Sequence, residues 1–123
     1  METRQVREIT QQEVDRCCQI IGIDTDDVLV YVEPTLAHAP GAGGLNQKRA
    51  LGQAGYDDEN GYHWVRISSR AAKRHGEEVL LDTVRHEMAH VMARVKRCGR
   101  GHDGGWQRCC MYLGATPRAT FRG

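Results

Sequence analysis

Hydrophobic residues near the N-terminus recur at helical spacing. Four of them follow the i, i+3, i+4, i+7 pattern of one helical face: Val14, Cys17, Cys18 and Ile21. Thr10 with Glu13 three residues later has the form of a capping box, and Gly22 is a typical helix stop. This part of the sequence therefore predicts a helix that starts at Thr10, ends at Gly22 and buries one face.

Three later segments carry the signals of β-strands. Val28–Glu33 is rich in β-branched residues, and Tyr62–Ser68 alternates between two faces. Residues 47–54 form a third candidate, which an internal glycine weakens. Glycine, proline and polar residues predict a loop at 34–45 and a turn at 56–61. We therefore expect a small three-stranded sheet.

A longer helical segment, Glu77–Lys96, carries two separate arcs of residues. The first arc is broad and apolar: Leu80, Val84, Met88, Val91 and Val95. The second arc is mixed: Val79, Thr83, His86 and His90. Glu87 lies between the two arcs. We expect the apolar arc to pack into a core and the other to face a cleft.

Two further helices complete the predicted fold. Ser68 or Ser69 caps a short helical turn through His75, and a last helix spans about 103–113, between a cap at Asp103 and a stop at Gly114. The apolar face of this last helix is formed by Trp106, Cys109, Cys110 and Leu113. The pattern as a whole predicts the α+β class, with the sheet packed against an N-terminal helix, the Glu77–Lys96 helix and a C-terminal helix. At 123 residues, we expect residues 1–123 to be a single domain.

Composition is that of an ordinary globular protein, with 40% hydrophobic and 27% charged residues. No apolar run approaches the length of a membrane span, and the polar N-terminus does not have the form of a secretory signal. The cysteine count is odd, and the adjacent pairs Cys17-Cys18 and Cys109-Cys110 do not resemble a disulfide framework. We therefore expect a cytoplasmic protein with no membrane partner.

Charge is unevenly distributed in the C-terminal part. After Glu87 the only acidic residue is Asp103, whereas seven residues are basic: Arg94, Lys96, Arg97, Arg100, Arg108, Arg118 and Arg122. Such a basic edge could contact the phosphates of DNA. A solvated charged face is the alternative interpretation.

The segment from His86 to His90 has the form H-E-x-x-H. Residues four apart lie one turn apart on the same face of a helix, so the imidazoles of His86 and His90 can converge on one metal ion. Glu87 points elsewhere, between the two arcs. This arrangement is typical of a zinc site in which the glutamate is a general base.

A catalytic zinc needs a third protein ligand. No glutamate follows His90, and Ala93 and Lys96 occupy the positions that would be Gly and His in the compact H-E-x-x-H-x-x-G-x-x-H pattern. We favour His102, because the glycine-containing turn at 98–101 could return the chain to the first helix. Asp103 is the alternative ligand. Three thiols are weaker candidates: Cys98, Cys109 and Cys110.

The H-E-x-x-H segment, followed by 102–106 and 113–117, resembles the SprT-like (Spartan-type) zinc metalloprotease family. The family pattern is H-E-x-x-H, a spacer, and then H-G-P-x-W or H-G-x-x-F on the next helix, and the resemblance covers the C-terminal half closely. Asp103 and Gly104 stand where Gly and Pro are usual. The chain also contains no C-x-x-C pair, so we expect no C-terminal zinc ribbon.

The resemblance implies a zincin-like minimal metalloprotease domain that hydrolyses protein or peptide substrates, including proteins associated with DNA. Zn²⁺ on His86, His90 and His102 would activate water, with Glu87 as the general base. The resemblance further implies that a substrate adds as a strand along the sheet edge, which we expect at Tyr62–Ser68. Oxyanion stabilisation would come from Tyr112, His63 or backbone amides.

Two other functions are compatible with the sequence. One is a nucleic-acid-binding module whose zinc is structural and is closed by Asp103 or Cys98 as a fourth ligand. The other is a protein-interaction domain with this fold and no turnover. Glu87 favours the hydrolase, because a structural site needs no carboxylate between its ligands.

Overall fold

The computed structural model describes residues 1–36, 50–99 and 101–117. In these ranges the chain is an α+β protein with one three-stranded mixed sheet and four α-helices. The elements are α1 (Thr3–Ile21), a 3-10 turn (Thr25–Asp27), β1 (Val28–Glu33), β2 (Gly52–Asp57), β3 (Tyr62–Ser68), α2 (Ser69–His75), α3 (Glu77–Lys96) and α4 (Gly104–Leu113). None of the helices in these ranges is both long and apolar enough to cross a bilayer.

The strand order is β1-β3-β2, so β3 is the central strand. It runs parallel to β1 and antiparallel to β2, with Val65 opposite both Val30 and Ala54. The expectation that a substrate could add along Tyr62–Ser68 is therefore wrong, because both backbone edges of that strand are already paired. Within the described ranges, the edge strands are β1 and β2.

The helix α3 is the centre of the packing and contacts the other three helices as well as β2 and β3. Its apolar arc is buried as predicted at Leu80, Val84, Met88 and Val91, while Val95 is partly buried at the edge of the same core. Val65 and Ile67 of β3 are buried in the same cluster. The core therefore lies between the sheet and α3, with α1 and α4 along the sides of this helix.

The first helix has its N-cap eight residues earlier than the sequence predicted. Glu2 is the N-cap and forms a capping box with Gln5, whereas Thr10 is fully buried inside the helix. Val6 is also buried, so the apolar stripe extends one turn on each side of Thr10 to Val6 and Val14. The predicted start at Thr10 is wrong for this reason, and the predicted stop at Gly22, with a φ of 88°, is confirmed.

The second strand was also misplaced. It covers Gly52–Asp57 rather than residues 47–54, and the turn after it is shorter than expected because Asp57 accepts hydrogen bonds from the amides of Glu59 and Asn60.

Residues 47–49, and residues 37–45 of the predicted loop with His38, lie outside the described residues. The bounds of β1, β3 and α3, the short α2, and the cap and stop of α4 are confirmed.

A buried carboxylate connects three of the helices. Glu13 of α1 accepts hydrogen bonds from Arg16 at 2.7 Å and from Arg85 of α3 at 2.6 Å, and Arg16 also donates to the carbonyl oxygen of Leu113 at 2.7 Å. Burial alone would raise the pKa of Glu13, but the hydrogen bonds and charges of the two arginines outweigh it, so the pKa lies below 4.5. This network holds α1 against α3 and the end of α4.

Candidate metal centre

Helical spacing brings the first two predicted ligands together. His86 and His90 lie one turn apart on α3, with ring centroids 5.3 Å apart and the rings nearly perpendicular. His86 is buried, His90 is half-buried and His102, which precedes α4, is exposed. The Nε2 atoms of His90 and His102 lie 3.2 Å apart. One ring nitrogen from each of the three histidines lies within 4.8 Å of the others, which is close enough to hold one metal ion.

The turn between α3 and α4 places His102 at the cluster. The helix α3 ends at Arg97 in the left-handed conformation, and the amide of Cys98 donates back to the carbonyl oxygen of Ala93. The chain then passes so close to itself that a Cβ at Gly105 would overlap the carbonyl of Cys98. This close approach joins Cys98 at the start of the turn to the start of α4, which follows His102.

Asp103, the alternative ligand, has another role. Its side chain accepts a hydrogen bond from the amide of Trp106 at 3.1 Å and so caps α4. Across the described residues, the only side chains clustered closely enough to hold a metal ion are the three histidines, without Asp103 and without any of the three candidate thiols. The geometry therefore favours His102 as the third donor.

Trp106 forms the inner wall of the cluster. Its ring centroid lies 4.8 Å from that of His86, 5.3 Å from that of His90 and 4.7 Å from that of His102. The side chain is fully buried, and its Nε1 donates to the carbonyl oxygen of His86 at 3.4 Å. The sequence pattern assigned Trp106 only to the apolar face of α4. Its spacing of four residues from His102 was the available signal for this second role.

The electrostatics of the cluster favour neutral imidazoles. Burial, with a smaller contribution from His102, lowers the pKa of His86 to about 4. Burial, followed by the charges of its two histidine neighbours and Arg94, lowers the pKa of His90 to about 3, and burial also lowers the pKa of His102. The Nδ1 atom of His86 is buried, and no described residue forms a hydrogen bond with it. Neutral rings keep a lone pair free, so the donor set fits a cation that prefers nitrogen ligands.

Glu87 lies beside the cluster. One of its carboxyl oxygens, Oε2, is 4.0 Å from Nε2 of His86, and burial raises the pKa of the carboxyl to about 8. Gly52 of β2 faces it: a Cβ at this position would lie 3.0 Å from Cγ of Glu87 and 2.9 Å from Cγ2 of Thr83. The sequence treated this glycine only as a weakness in a strand, although a glycine inside a strand also signals a close approach.

Neither side chain named for oxyanion stabilisation touches the cluster. His63 lies 3.5 Å from Arg94 and packs on the ring of Tyr56, with the ring centroids 4.8 Å apart. Tyr112 is 71% exposed on the outer side of α4. In the part of the chain that the structure covers, neither forms a hydrogen bond or ring contact with the three histidines, and the role of each stays a prediction.

Together the fold and the cluster define an α+β protein with a three-histidine candidate metal centre on its longest helix. The chain belongs to the SprT-like family, because the family model of that description matches residues 8–121. The resemblance expected from the C-terminal half is thus confirmed and extends over nearly the whole chain. The comparisons with curated proteins and with solved structures gave no match.

Proposed function

We propose that this chain is a zinc-dependent endopeptidase of the SprT-like type. In this proposal His86, His90 and His102 hold Zn²⁺, and Glu87 is the general base. The observation that carries the proposal is the placement of a buried carboxyl 4.0 Å from one of three converging imidazoles. A metal site that only stabilises a fold has no use for an additional carboxyl that does not bind the metal.

The donor set matches what a catalytic zinc uses. Such sites have three protein ligands, often all histidine, and keep the fourth position open. When bound, zinc supplies a Lewis acid that activates water and polarises the scissile carbonyl group. The exposed edge of His102 leaves one side of the cluster accessible to solvent, and therefore to a substrate.

Glu87 provides the proton transfer. Its carboxylate accepts a proton from the attacking water and returns that proton to the leaving amine, so the side chain ends the cycle in its starting state. Burial alone favours the neutral acid. A divalent cation on the neighbouring imidazoles favours the charged carboxylate instead, so metal binding would prepare Glu87 to act as a base.

The substrate would bind along β2. This strand is at the edge of the sheet, packs against α3 and begins at Gly52, directly beside Glu87. Among the described residues it pairs only with β3. An extended peptide added at this edge would form main-chain hydrogen bonds with β2 and place a carbonyl group near the cluster.

DNA-associated proteins are the substrate class that we propose. Four exposed basic side chains lie near the cluster, on α3, at its C-cap and on α4: Arg94, Lys96, Arg97 and Arg108. A DNA contact through them would weaken as salt rises. Replacing Lys96 and Arg108 with glutamine should reduce the salt dependence of single-stranded DNA binding, whereas Lys73→Gln on α2 should not. Binding that is absent or insensitive to salt would contradict this part of the proposal.

A structural zinc in a nucleic-acid-binding module is less well supported. A closed site would need a fourth protein donor, but Asp103 caps α4 and the thiol of Cys98 contacts that of Cys109. A protein-interaction domain without turnover would have no use for a buried carboxyl placed 4.0 Å from one of three converging imidazoles.

The test compares Glu87→Gln with Glu78→Gln, an exposed glutamate on the first turn of the same helix. Zinc content by elemental analysis and cleavage of casein and histone are measured with and without DNA. We expect both variants to bind zinc like the parent, and only Glu87→Gln to lose cleavage, by about a factor of 10² to 10⁴. Full activity of Glu87→Gln would reject the proposed base.

A further inference from the structure

Two cysteines bracket the loop that carries His102. Cys98 lies just beyond the end of α3 and Cys109 is on α4, and their Sγ atoms are 3.6 Å apart. Both are free thiols. A disulfide bond has an S–S length of about 2.05 Å, so a small movement of the exposed Cys98 side chain would bring the two sulfur atoms to bonding distance.

The two thiols differ in accessibility. Cys98 is exposed, whereas Cys109 is only 3% exposed, and burial together with the neighbouring Cys98 raises the pKa of Cys109 to about 11. A dissolved oxidant therefore reaches Cys98 first, and Cys109 is positioned to react with the product from inside the fold. An accessible thiol next to a second thiol is the geometry in which a sulfenic acid can condense to a disulfide.

We propose that Cys98 and Cys109 form a reversible disulfide that fixes the His102 loop, with a peroxide as the oxidant. The Cys98 thiol reacts with one hydroperoxide, which yields a sulfenic acid at Cys98 and one water or alcohol. The Cys109 thiol then attacks the sulfur of Cys98, the S–O bond breaks, and one water leaves as the disulfide forms. The peroxide accepts the two electrons, and a dithiol reductant reverses the reaction.

Burial keeps the other three cysteines away from a dissolved oxidant. Cys17, Cys18 and Cys110 are buried, and burial raises the pKa of each of them. None of the three forms a sulfur–sulfur contact among the described residues. Oxidation should therefore be selective for the pair that flanks His102.

The bond would act on the cluster through the loop. The loop is already joined to the start of α4 by the close approach of Cys98 to Gly105 and by the cap of Asp103 on Trp106. A covalent link from Cys98 to Cys109 would add a second tie between the end of α3 and α4, on both sides of His102. We therefore expect His102 to be held in place and the metal to leave more slowly. This effect rests on the proposed zinc site, whereas formation of the disulfide does not.

The first test treats the folded, zinc-loaded protein with hydrogen peroxide, then unfolds it and alkylates the thiols. We expect the number of alkylated thiols to fall from five to three, the mass before alkylation to fall by about 2 Da, and a peptide to link Cys98 to Cys109, all reversed by dithiothreitol. Cys110→Ser should still form the link and Cys109→Ser should not. Five remaining thiols, or a higher oxide on Cys98 with Cys109 still free, would overturn the proposal.

The second test measures transfer of zinc to a coloured chelator from the oxidised and the reduced protein. Slower transfer from the oxidised form, with no such difference in Cys109→Ser, supports the coupling to His102. Equal rates in a protein that carries the disulfide would overturn the coupling. Failure of zinc binding in both forms would instead reject the proposed metal site.

Discussion

Gly52 of β2 lies directly against Glu87 of α3. A single carbon added to Gly52 would lie 3.0 Å from Cγ of Glu87 and 3.1 Å from its Oε2. These distances are shorter than ordinary van der Waals contact. The Glu87 carboxyl can occupy its observed position only because residue 52 has no side chain. The edge strand and the proposed base are thus fitted to each other, although 35 positions, 87 minus 52, separate them in the sequence.

Gly52→Ala should lower peptidase activity without removing the metal. The added methyl group would displace the Glu87 carboxyl, and a misplacement of about 1 Å can reduce catalysis by about 10²-fold. Zinc content should not change, because no histidine is among the three atoms nearest to the new methyl group. The measurement is kcat for peptide cleavage together with elemental analysis.

Adding Thr83→Ser to Gly52→Ala should restore part of the activity that the added methyl group removes. Cγ2 of Thr83 is the atom nearest to the added methyl group, at 2.9 Å, and serine removes it while it keeps the hydroxyl that donates to the carbonyl oxygen of Val79. The double variant should therefore recover part of the lost activity. An unchanged kcat in Gly52→Ala would show that the position of Glu87 is not limiting.

Glu13→Gln should destabilise the fold and weaken its response to acid. We expect a loss of about 1–3 kcal/mol in the free energy of unfolding at pH 7, because an amide leaves the two arginines incompletely paired, although both are partly exposed. Glu8→Gln, in an exposed pair with Arg4, should change stability by less than about 0.5 kcal/mol. Urea unfolding checks both values.

The pH dependence follows from the lowered pKa of Glu13. Its folded-state pKa lies below 4.5, so the stability that the carboxylate contributes is fully present above pH 4.5 and is lost as the pH falls through the lower folded-state value. The difference in unfolding free energy between parent and Glu13→Gln should therefore shrink as the pH falls below 4.5. A difference that stays constant between pH 7 and pH 3 would contradict the proposed ion pairs.

Trp106→Phe should weaken zinc binding more than it weakens the fold. Phenylalanine keeps an aromatic ring in the core, but it cannot reach all three imidazoles and lacks the Nε1 donor to the carbonyl oxygen of His86. We expect the Kd for zinc to rise about tenfold, as for other groups that orient metal ligands. Trp64→Phe on β3 is the control and should leave this Kd unchanged. Competition with a chelator of known affinity measures the zinc Kd of both variants.

Much of the fold could be predicted because its signals are local. The spacing of His86 and His90 and the apolar arc of α3 are properties of one helix, and Asp103 and Gly114 are the cap and the stop of another. The strand β3 was found because its residues alternate. Among the helices, only the predicted start of α1 was wrong. Thr10 has the sequence signal of an N-cap, but it lies on the buried face of the helix.

The features that could not be predicted depend on contacts between distant segments. Nothing within residues 62–68 reveals that β3 is the central strand, since its order depends on how β1 and β2 pair with it. The contact of Gly52 with Glu87 depends on the same pairing, which brings β2 under α3. The wall formed by Trp106 likewise depends on how α4 packs on α3. Local periodicity carries no information about any of these three arrangements.

The most direct test of the three-histidine centre is a zinc titration of His102→Ala beside Asp103→Asn. We expect His102→Ala to lose the 1:1 zinc complex or to bind zinc at least about 10²-fold more weakly, because only two protein donors remain. Asp103→Asn should bind zinc like the parent, since asparagine still caps α4. Full zinc stoichiometry and unchanged affinity in His102→Ala, with loss of binding in Asp103→Asn, would contradict the three-histidine centre.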